Sequence, residues 1–385
     1  MERAIVLVGG VGSGVKAISG GRPKALLNVV GKSVIERIIE NLLLCGLKEV
    51  VLVSDQPPLF EDVTLKYGDV VDVQIVKQVG SGIRDAILSA RDMVGKASLL
   101  IYGDTLVPYE AYRMVINAYI TYGKPVILVV PEEDVKLYGA VSLGDGNRVV
   151  DFIEKPSTDI VGAYAYGGIA VLDNEVVEAL EGFANVDEAI KNYVSRKVLK
   201  AAIWSGWWVD IGFPWDLLKA NYYILNELDE VKISSKASIS PNAIVKGPLI
   251  IEEDVVVDHY TVLEGPLFIG RGAEVNAHSL IGKYSSLEES TYVDTYSEIF
   301  WSSVQPKAVI GRSSYIYLSV VGSEAEVEGG VITSADIRKD LIRKSVSTKS
   351  LTLSKSLINT LKFGSFIGSK SRVKAGTVMR TNTLS

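Results

Sequence analysis

The first 230 residues alternate short apolar runs with amphipathic stretches. The apolar runs predict strands, and the stretches with apolar positions three and four residues apart predict helices. The strands are predicted at 4–8, 49–55, 98–104 and 126–131, and the helices at 33–46, 85–95 and 214–228. This β-α-β order predicts an α/β Rossmann-like domain with a mixed, mostly parallel sheet and helices on both faces. Ligands of such sheets bind at the carboxyl ends of the strands, where Asp104 and the loop after the first strand are expected.

From about residue 239 the hydrophobic pattern repeats every six residues. Eleven hexads in register begin with Ile239, Val245, Ile251, Val257, Leu263, Ile269, Val275, Ile281, Leu287, Val293 and Ile299. In a β-solenoid, one aliphatic side chain per flat face points inward, and successive coils stack these side chains into a ladder. The register slips at Gln305 and then resumes at Ile310, Ile316, Val321, Val327, Ile367, Val373 and Met379. The pattern therefore predicts a left-handed parallel β-helix.

These two patterns predict two domains, at 1–230 and 231–385. A polar stretch at about 338–362, rich in Ser and Lys, interrupts the hexads. We expect it to leave the β-helix as an excursion that could lie at a subunit interface.

The composition narrows the functional classes. A formal net charge of −6 argues against a nucleic-acid-binding protein, which usually carries a basic face. No apolar run is long enough for a membrane span, and the glycine-interrupted start predicts a strand instead of a signal peptide. Cys45 is the only cysteine, so no intramolecular disulfide can form, which favours a cytoplasmic location. The scarcity of Cys and His beside plentiful Val, Ile, Lys and Glu points to a thermophilic source.

The loop after the first strand is rich in glycine. It reads GGVGSG at 9–14 and is followed by RPKALL at 22–27. Glycines directly after a strand let backbone N–H groups approach a phosphate, although the same run could form only a tight turn. The spacing matches neither the dinucleotide fingerprint nor a Walker loop. The run resembles the signature of the sugar-1-phosphate nucleotidyltransferases, Leu-Ala-Ala-Gly-x-Gly-Thr-Arg-Leu and then Pro-Lys-x-Leu-Leu-Pro-Val-x-Gly-Lys, at 7–15 and 23–32.

Further segments resemble the same family in the same order, over about residues 3–225. They are KQVGSGIRDAIL at 77–88, YGD at 102–104, YG at 138–139, IEKP at 153–156 and WVDIGFP at 208–214. The resemblance implies nucleotide binding by Val8, Gly9, Gly10, Gly12, Gln78 and Gly82. It implies sugar-phosphate binding by Gly139, Glu154, Lys155 and Gly168. It also implies catalysis by Lys24, Asp104 and Asp210, with Mg²⁺ on the two aspartates.

The implied reaction is attack of a sugar-1-phosphate oxygen on the α-phosphorus of a nucleoside triphosphate, with pyrophosphate leaving. Such chemistry needs neutralised charge and in-line positioning more than a protein nucleophile. Taken one at a time, Asp104 could instead cap a helix, Lys155 could be a surface lysine and Asp210 a turn residue.

Several ligand-facing positions depart from the family pattern. Gly14 replaces the loop arginine, Ile83 and Arg84 replace Thr and Ala, and Tyr166 replaces the sugar-binding Asn. A transition-state arginine can supply on the order of 10³-fold or more in rate. Two hypotheses therefore stay open. The chain is an active enzyme, which arginine at Gly14 should accelerate, or it is a weakened or inactive paralogue that binds nucleotide or nucleotide-sugar as a regulatory or scaffolding subunit beside an active relative.

The β-helix resembles the acetyltransferase half of bifunctional glucosamine-1-phosphate acetyltransferase/N-acetylglucosamine-1-phosphate uridylyltransferases, at 317–338 and 358–379. Tyr317 replaces the catalytic histidine and Asp336 the family asparagine, and we expect His259 and His278 to be structural. Tyrosine, with a pKa of about 10, is a poor general base at neutral pH, so we expect acetyl transfer to be lost, although an acyl-CoA groove could persist. Flat β-helix faces in such proteins usually pack together, which predicts a homo-oligomer, most simply a trimer.

Overall fold

The computed structural model describes residues 1–132, 135–158, 160–334, 361, 364–381 and 383–384. The chain divides into two compact units. The first unit contains Met1–Gly10 and Ile35–Trp208, and the second contains Val11–Val34 and Val209–Ser385. Among the described residues, no helix combines the length and apolar character needed to cross a membrane.

The first unit is built on a nine-stranded mixed sheet. Its strands, in spatial order, are Asp72–Lys77, Glu49–Ser54, Arg3–Leu7, Ser98–Tyr102, Tyr164–Leu172, Val126–Val130, Lys200–Ile203, Arg148–Glu154 and Gly139–Gly144. Tyr164–Leu172 and Arg148–Glu154 run antiparallel to their neighbours, and the other strands share one direction. The predicted mostly parallel α/β sheet is therefore confirmed.

The helices associated with this sheet are Val34–Leu44, Glu61–Tyr67, Gly82–Ser89, Tyr109–Tyr122, Asn174–Glu181 and Val186–Arg196. The helix predicted at 85–95 lies earlier, at Gly82–Ser89, and only a short 3₁₀ turn, Arg91–Met93, follows it. Ser89 is its last residue, and the hydroxyl of Ser89 donates to Asp85 O at 2.7 Å and accepts Val79 N–H at 2.9 Å. Serine side chains that bond the backbone compete with helix continuation.

The second unit contains the β-helix, whose coils stack as three parallel sheets. One sheet contains Val231–Ile233, Leu249–Ile251, Leu267–Ile269, Ser285–Leu287, Ser303–Val304, Ser319–Val321 and Ser365–Ile367. The next contains Ser238–Ile239, Val256–Val257, Glu274–Val275, Tyr292–Val293, Val309–Ile310, Glu326–Val327 and Arg372–Val373. The third contains Ile244–Lys246, Val262–Glu264, Leu280–Ile281, Glu298–Phe300 and Tyr315–Tyr317.

The inward ladder is the one that the hexads predict. From Ile251 to Ile299 each predicted aliphatic is at most 2% exposed, and Ile239 and Val245 pack against the same core at its end. The slip at Gln305 has a structural cause. Leu263 pairs with Ile281, 18 residues on, whereas Leu287 pairs with Val304, only 17 residues on. One corner of the coil is therefore a residue shorter, and Val304 takes the inward position. The polar stretch predicted as an excursion falls, except for Leu361, outside the described residues.

One corner of the β-helix carries an exposed aromatic stack. His278 lies between Tyr260 and Tyr296, with ring centroids 5.1 and 4.9 Å apart. All three residues have φ near +60°, the left-handed conformation that closes each coil. His259 Nδ1 lies 2.5 Å from Ser240 Oγ. Both histidines thus make contacts between coils, as expected of structural residues.

The second unit also contains the helix Pro214–Asn226 and the segment Val11–Val34. Tyr222 of this helix stacks on Trp301, with centroids 5.7 Å apart, and Tyr284 donates to Asn226 Oδ1 at 3.1 Å. The segment Val11–Val34 contains the short helix Lys16–Ser19, a 3₁₀ turn at Lys24–Leu26 and the hairpin strands Asn28–Val29 and Lys32–Ser33. Residues of the glycine-rich loop after Gly10 therefore belong to the same compact unit as the β-helix.

Candidate active site

In the first unit, three of the predicted nucleotide-binding residues lie together. A Cβ placed on Gly9 would lie 2.8 Å from Gln78 Oε1. The Gln78 amide donates from Nε2 to Gly82 O at 3.3 Å, so the side chain bridges the two glycines. Asp55, which the sequence analysis missed, lies here as well, since its Oδ1 would be 3.4 Å from the same Cβ. A side chain at position 9 would therefore displace the Gln78 amide from this place.

The remaining loop residues of the first unit differ in exposure. Val8 is buried, and its N–H donates to Val53 O at 2.9 Å, so its side chain belongs to the core. Gly10 has φ +91°, and a Cβ on it would meet no atom within 4 Å. The loop thus begins at a strand end that is held by a hydrogen bond. It becomes uncrowded at Gly10, whose backbone conformation other residues rarely adopt.

Asp104 follows the strand Ser98–Tyr102 at the carboxyl edge of the sheet. Gly103 before it donates to Leu7 O at 2.9 Å, and a Cβ on Gly103 would lie 2.6 Å from that oxygen. Thr105 after it is buried, and a Cβ on Gly168 would lie 2.4 Å from Thr105 Oγ1. Gly103 and Thr105, the two neighbours of Asp104, are therefore both fixed, and Gly168 lies beside Thr105.

The predicted sugar-phosphate residues lie on one antiparallel strand pair. Gly139 pairs with Glu154, and a Cβ on Gly139 would lie 3.1 Å from Glu154 Oε2. Lys155 has the left-handed φ of +44° and donates its N–H to Tyr138 O at 2.9 Å. Non-glycine residues adopt this conformation rarely, and such strain clusters at functional sites.

Burial raises the pKa of the Glu154 carboxyl, Lys155 opposes that shift, and Asp187 adds to it. Asp187 also accepts the Glu154 N–H at 3.1 Å, so it both holds the strand end and repels the ionised carboxylate. Asp187 is a further residue that the sequence analysis missed, because it comes from a helix 33 residues later.

Tyr166 fills the place where the family has an asparagine. Its ring lies edge-on to Tyr102, with centroids 5.3 Å apart, and packs on Phe152 at 5.9 Å. Burial raises the pKa of its hydroxyl above the usual range, so the phenol stays protonated. These three rings line an apolar cavity of about 50 Å³ in the first unit. Where the family has a polar amide, this chain therefore has a tyrosine that is part of an aromatic cluster.

In the second unit, Gly12 and Lys24 lie together. Gly12 has φ +69°, and a Cβ on it would lie 3.1 Å from Lys24 Cδ. The aliphatic part of Lys24 thus packs across the loop backbone. Lys24 also begins the 3₁₀ turn Lys24–Leu26, whose hydrogen bond from Leu27 N to Lys24 O measures 3.1 Å.

Gly14 is enclosed by its own unit. A Cβ on Gly14 would lie 2.3 Å from Gly212 O and 2.9 Å from Phe213 Cδ1. Real Cβ atoms essentially never approach other atoms this closely, so any side chain here requires the backbone to move. Arginine at Gly14 would therefore disturb the turn at Gly212 and Phe213 as well as add a charge, and its effect on the rate stays a prediction.

Asp210 lies in a turn fixed by another carboxylate. Its carbonyl accepts the Gly212 N–H at 3.0 Å. Asp216 Oδ2 accepts the N–H groups of Gly212 at 3.0 Å and of Phe213 at 2.7 Å. Asp216 is the third residue of the helix Pro214–Asn226, where carboxylates commonly accept N–H groups of the preceding turn. That helix-start pattern is the sequence signal that could have identified it.

The described residues contain no group of three or more His, Cys, Asp or Glu side chains arranged for a metal ion. Asp104 belongs to the first unit and Asp210 to the second. Carboxylate oxygens suit Mg²⁺, which is often held by one or two carboxylates together with substrate phosphates and water. Each aspartate therefore has the donor chemistry that suits such an ion.

Tyr317, in the place of the acetyltransferase histidine, is 4% exposed. Its N–H donates to Thr333 Oγ1 at 2.8 Å, and its carbonyl accepts from Ser319 Oγ at 2.7 Å. Asp336 lies outside the described residues. The loss of acetyl transfer stays a prediction.

The chain belongs to the nucleotidyl transferase family, whose model matches residues 3–227. Among its relatives is the "Bifunctional protein GlmU" of Methanococcus vannielii, 30% identical over 97% of this chain and 89% of that protein. Another is the "Bifunctional sugar-1-phosphate nucleotidylyltransferase/acetyltransferase" of Sulfurisphaera tokodaii, 29% identical over 95% of this chain and 90% of that one. A crystal structure described as a glucose-1-phosphate thymidylyltransferase from Bacillus anthracis shares the fold, with a TM-score of 0.53 and 23% identity over 60% of this chain and 97% of that chain.

Proposed function

We propose that the chain transfers a nucleotidyl group from a nucleoside triphosphate to a sugar-1-phosphate, giving a nucleotide-sugar and pyrophosphate. The sugar-phosphate oxygen forms the new bond to the α-phosphorus, and the bond from that phosphorus to the β-phosphate oxygen breaks. The observation that carries the proposal is the contact between Gly12 and Lys24, which packs a lysine stem against the glycine-rich loop. Family membership and the names of the full-length relatives support it.

On the nucleotide side, the proposed roles follow the local geometry. Gln78 and Gly82 contact the base, and the backbone of Val8, Gly9, Gly10 and Gly12 faces the phosphates. Lys24 stabilises phosphate charge as pyrophosphate leaves. A lysine whose stem packs on the loop is useful because phosphoryl chemistry depends on prearranged charge.

On the sugar side, Lys155 binds the sugar phosphate, and Glu154 with the backbone of Gly139 and Gly168 binds sugar hydroxyls. Glu154 is half-buried with a raised pKa, which suits a carboxyl that accepts or shares hydroxyl protons. The left-handed backbone at Lys155 turns its side chain away from the strand direction of Glu154.

Asp104 and Asp210 are the proposed ligands of Mg²⁺. When bound, the ion supplies Lewis-acid stabilisation of the phosphate oxygens. The protein's part is to fix the backbone next to each of the two carboxylates. Gly103 does this for Asp104 through its bond to Leu7 O, and Asp216 does it for Asp210 through the following turn.

The second candidate function is a regulatory or scaffolding subunit that binds nucleotide or nucleotide-sugar and pairs with an active paralogue. The enclosure of Gly14 by Gly212 and Phe213 favours it, because no arginine can occupy position 14 without rearrangement. Pyrophosphate release decides between the two functions, measured with a panel of nucleoside triphosphates and sugar-1-phosphates in the presence of Mg²⁺. Turnover with at least one pair supports the enzyme. Nucleotide binding without turnover for any pair supports the subunit.

We also propose that the chain is cytoplasmic and that residues 1–230 and 231–385 are its functional domains.

A homotrimer through the β-helix is supported by the exposed apolar residues Ile244, Ile332 and Val378, which lie in register on one face. Light scattering should give three times the mass of one chain, and a monomer mass would refute the assembly.

A further inference from the structure

Lys24 is followed directly by a small hairpin. Asn28 pairs with Ser33 and Val29 with Lys32, and Val30 and Gly31 form the turn with φ of +51° and +83°. Only three residues separate Lys24 from Asn28, and the hydrogen bond from Leu27 N to Lys24 O spans most of that distance. The position of the hairpin therefore determines the position of the Lys24 backbone.

The base of the hairpin is held by Gln305 of the β-helix. Gln305 Oε1 accepts the Asn28 N–H at 3.1 Å, and Gln305 Nε2 donates to Asn28 O at 2.9 Å. The amide thus satisfies both backbone groups of one residue, as a neighbouring strand would. Gln305 is 1% exposed, so this pair is shielded from water.

The turn of the hairpin is held by Glu288. Its Oε2 accepts the Gly31 N–H at 2.9 Å, while Ser286 Oγ donates to its Oε1. The Phe268 ring lies against Gly31, where a Cβ would come within 2.4 Å of Cζ. Glu288 is fully buried, and a buried carboxylate is costly unless its oxygens are hydrogen-bonded.

Glu288 and Gln305 occupy the same place in successive coils. Each directly follows the inward aliphatic residue of its strand, Leu287 or Val304, and these two pair in register. Adjacent strands lie about 4.8 Å apart, so the two side chains form a short polar column. In other coils the equivalent position is Ser234, Glu252, Gly270, Gly322 or Gly368.

We infer that Glu288 and Gln305 are positioning residues for Lys24, so that the β-helix sets the geometry of the catalytic lysine. The inference rests on the proposed function and deepens it. Neither residue touches a reacting atom. Each acts by fixing the backbone of the hairpin that carries Lys24, and a displacement of about 1 Å in such a group can cost about 100-fold in rate.

The test uses the full-length protein with Gln305→Met, which keeps the length of the side chain and removes its polar atoms. Glu288→Ala removes the second anchor, and Glu288→Gln is the conservative rescue, since an amide can accept from Gly31 and donate to Ser286. Glu252→Ala is the matched control. Glu252 occupies the equivalent position two coils before Glu288 and accepts the Arg271 N–H at 3.0 Å, a bond within the β-helix.

The expected kinetic result is a fall in kcat/KM of about 10- to 100-fold for Gln305→Met and Glu288→Ala. Glu288→Gln and Glu252→Ala should stay within about threefold of wild type. In a Lys24→Ala background, Gln305→Met should cause less than about a twofold further loss, because its effect passes through Lys24. An equal loss in both backgrounds would assign Gln305 a purely structural role and overturn the inference.

Hydrogen exchange of the peptide amides in 24–33 tests the anchor without using activity. Gln305→Met should accelerate exchange of Asn28 by about tenfold or more, since its N–H loses a buried acceptor. The nucleoside triphosphate–Mg²⁺ complex should also bind about tenfold more weakly, measured by calorimetry. If the wild-type protein binds nucleotide but turns over no substrate pair, the proposed enzymatic function is refuted. The exchange and affinity measurements then still test whether Gln305 positions the hairpin. Unchanged exchange or unchanged nucleotide affinity would refute it.

Discussion

Replacement of Gly14 tests whether the loop is missing an arginine or excludes one. In Gly14→Arg the first new atom is Cβ, which would lie 2.3 Å from Gly212 O and 2.9 and 3.2 Å from two ring carbons of Phe213. Neither obstacle is the end of a flexible chain. Gly212 is fixed by hydrogen bonds to Asp210 O and Asp216 Oδ2, and Phe213 stacks on Trp215 at 4.5 Å. The clash must therefore be relieved by moving backbone.

The magnitude follows from that geometry. A carbon–oxygen contact of normal length requires a separation of roughly 1 Å more, and overpacking of this kind typically costs about 1–3 kcal/mol in the free energy of unfolding. The same displacement in a segment that carries Lys24 should lower kcat/KM by about 100-fold. Because Cβ causes the clash, Gly14→Ala should lose as much stability as Gly14→Arg.

Urea unfolding and pyrophosphate release measure the two effects on the same preparations. Gly182→Ala is the matched control, since Gly182 has an ordinary φ of −76° and a Cβ there would lie 3.7 Å from Ala179 O. Its unfolding free energy should stay within about 0.5 kcal/mol of wild type. If Gly14→Arg unfolds at the wild-type urea concentration and releases pyrophosphate faster than wild type, the steric argument is refuted.

Further predictions concern single sites. Gly168→Ala should lower the free energy of unfolding by about 1–3 kcal/mol, because its Cβ would lie 2.4 Å from Thr105 Oγ1 at a φ of +74°; urea unfolding unchanged from wild type would contradict this. Burial raises the pKa of Glu154 above its usual 4.5, so the stability from its protonated form is present below that pH and lost as pH rises through the folded pKa. Glu154→Gln should therefore match wild type near pH 4 and exceed it in stability at pH 8, and a constant difference across that range would disprove the shift. Asp216→Ala should lower kcat more than tenfold by releasing the turn after Asp210, whereas Asp216→Asn, which keeps an acceptor oxygen, should recover most of the loss. Burial raises the pKa of the Cys45 thiol to about 11, so its alkylation at pH 8 should run about 100-fold slower in the folded than in the urea-unfolded protein.

The β-helix could be predicted from sequence because its contacts repeat at a fixed short period. One inward side chain per face is a geometric requirement, and the hexads display it from Ile251 to Ile299. Even the one-residue shortening before Val304 was visible as a slip in register. The strands of the large sheet could be predicted in the same way, since each buried strand is a local apolar run. The helix predicted at 85–95 lies at Gly82–Ser89, because the bonds made by residues at its ends are not part of the apolar pattern.

The candidate site could be predicted from the sequence only in part. Glycines and acids at strand ends can be recognised singly, and the family resemblance supplied their order. What the sequence could not show is which distant atoms enclose them. Gly14 reads as a lost arginine until Gly212 O is known to lie beside it. Asp187 accepts a backbone N–H from a strand 33 residues earlier, and such a role leaves no mark in composition or periodicity, whereas Asp216 could have been found from its place at a helix start.

The docking of the hairpin on the β-helix has a consequence for synthesis of the chain. Asn28 and Gln305 are 277 residues apart, and Gly31 and Glu288 are 257 apart. At about 5–20 residues per second, a ribosome needs roughly 15–60 s after making Lys24 before the last of these partners exists. Throughout that interval the nascent chain can form strands and helices of its first unit but lacks the surface that seats its lysine. A chain that terminates early, before residue 288, would therefore lack both partners of the hairpin, so the coils that contain Glu288 and Gln305 must be made before Lys24 can take its final position.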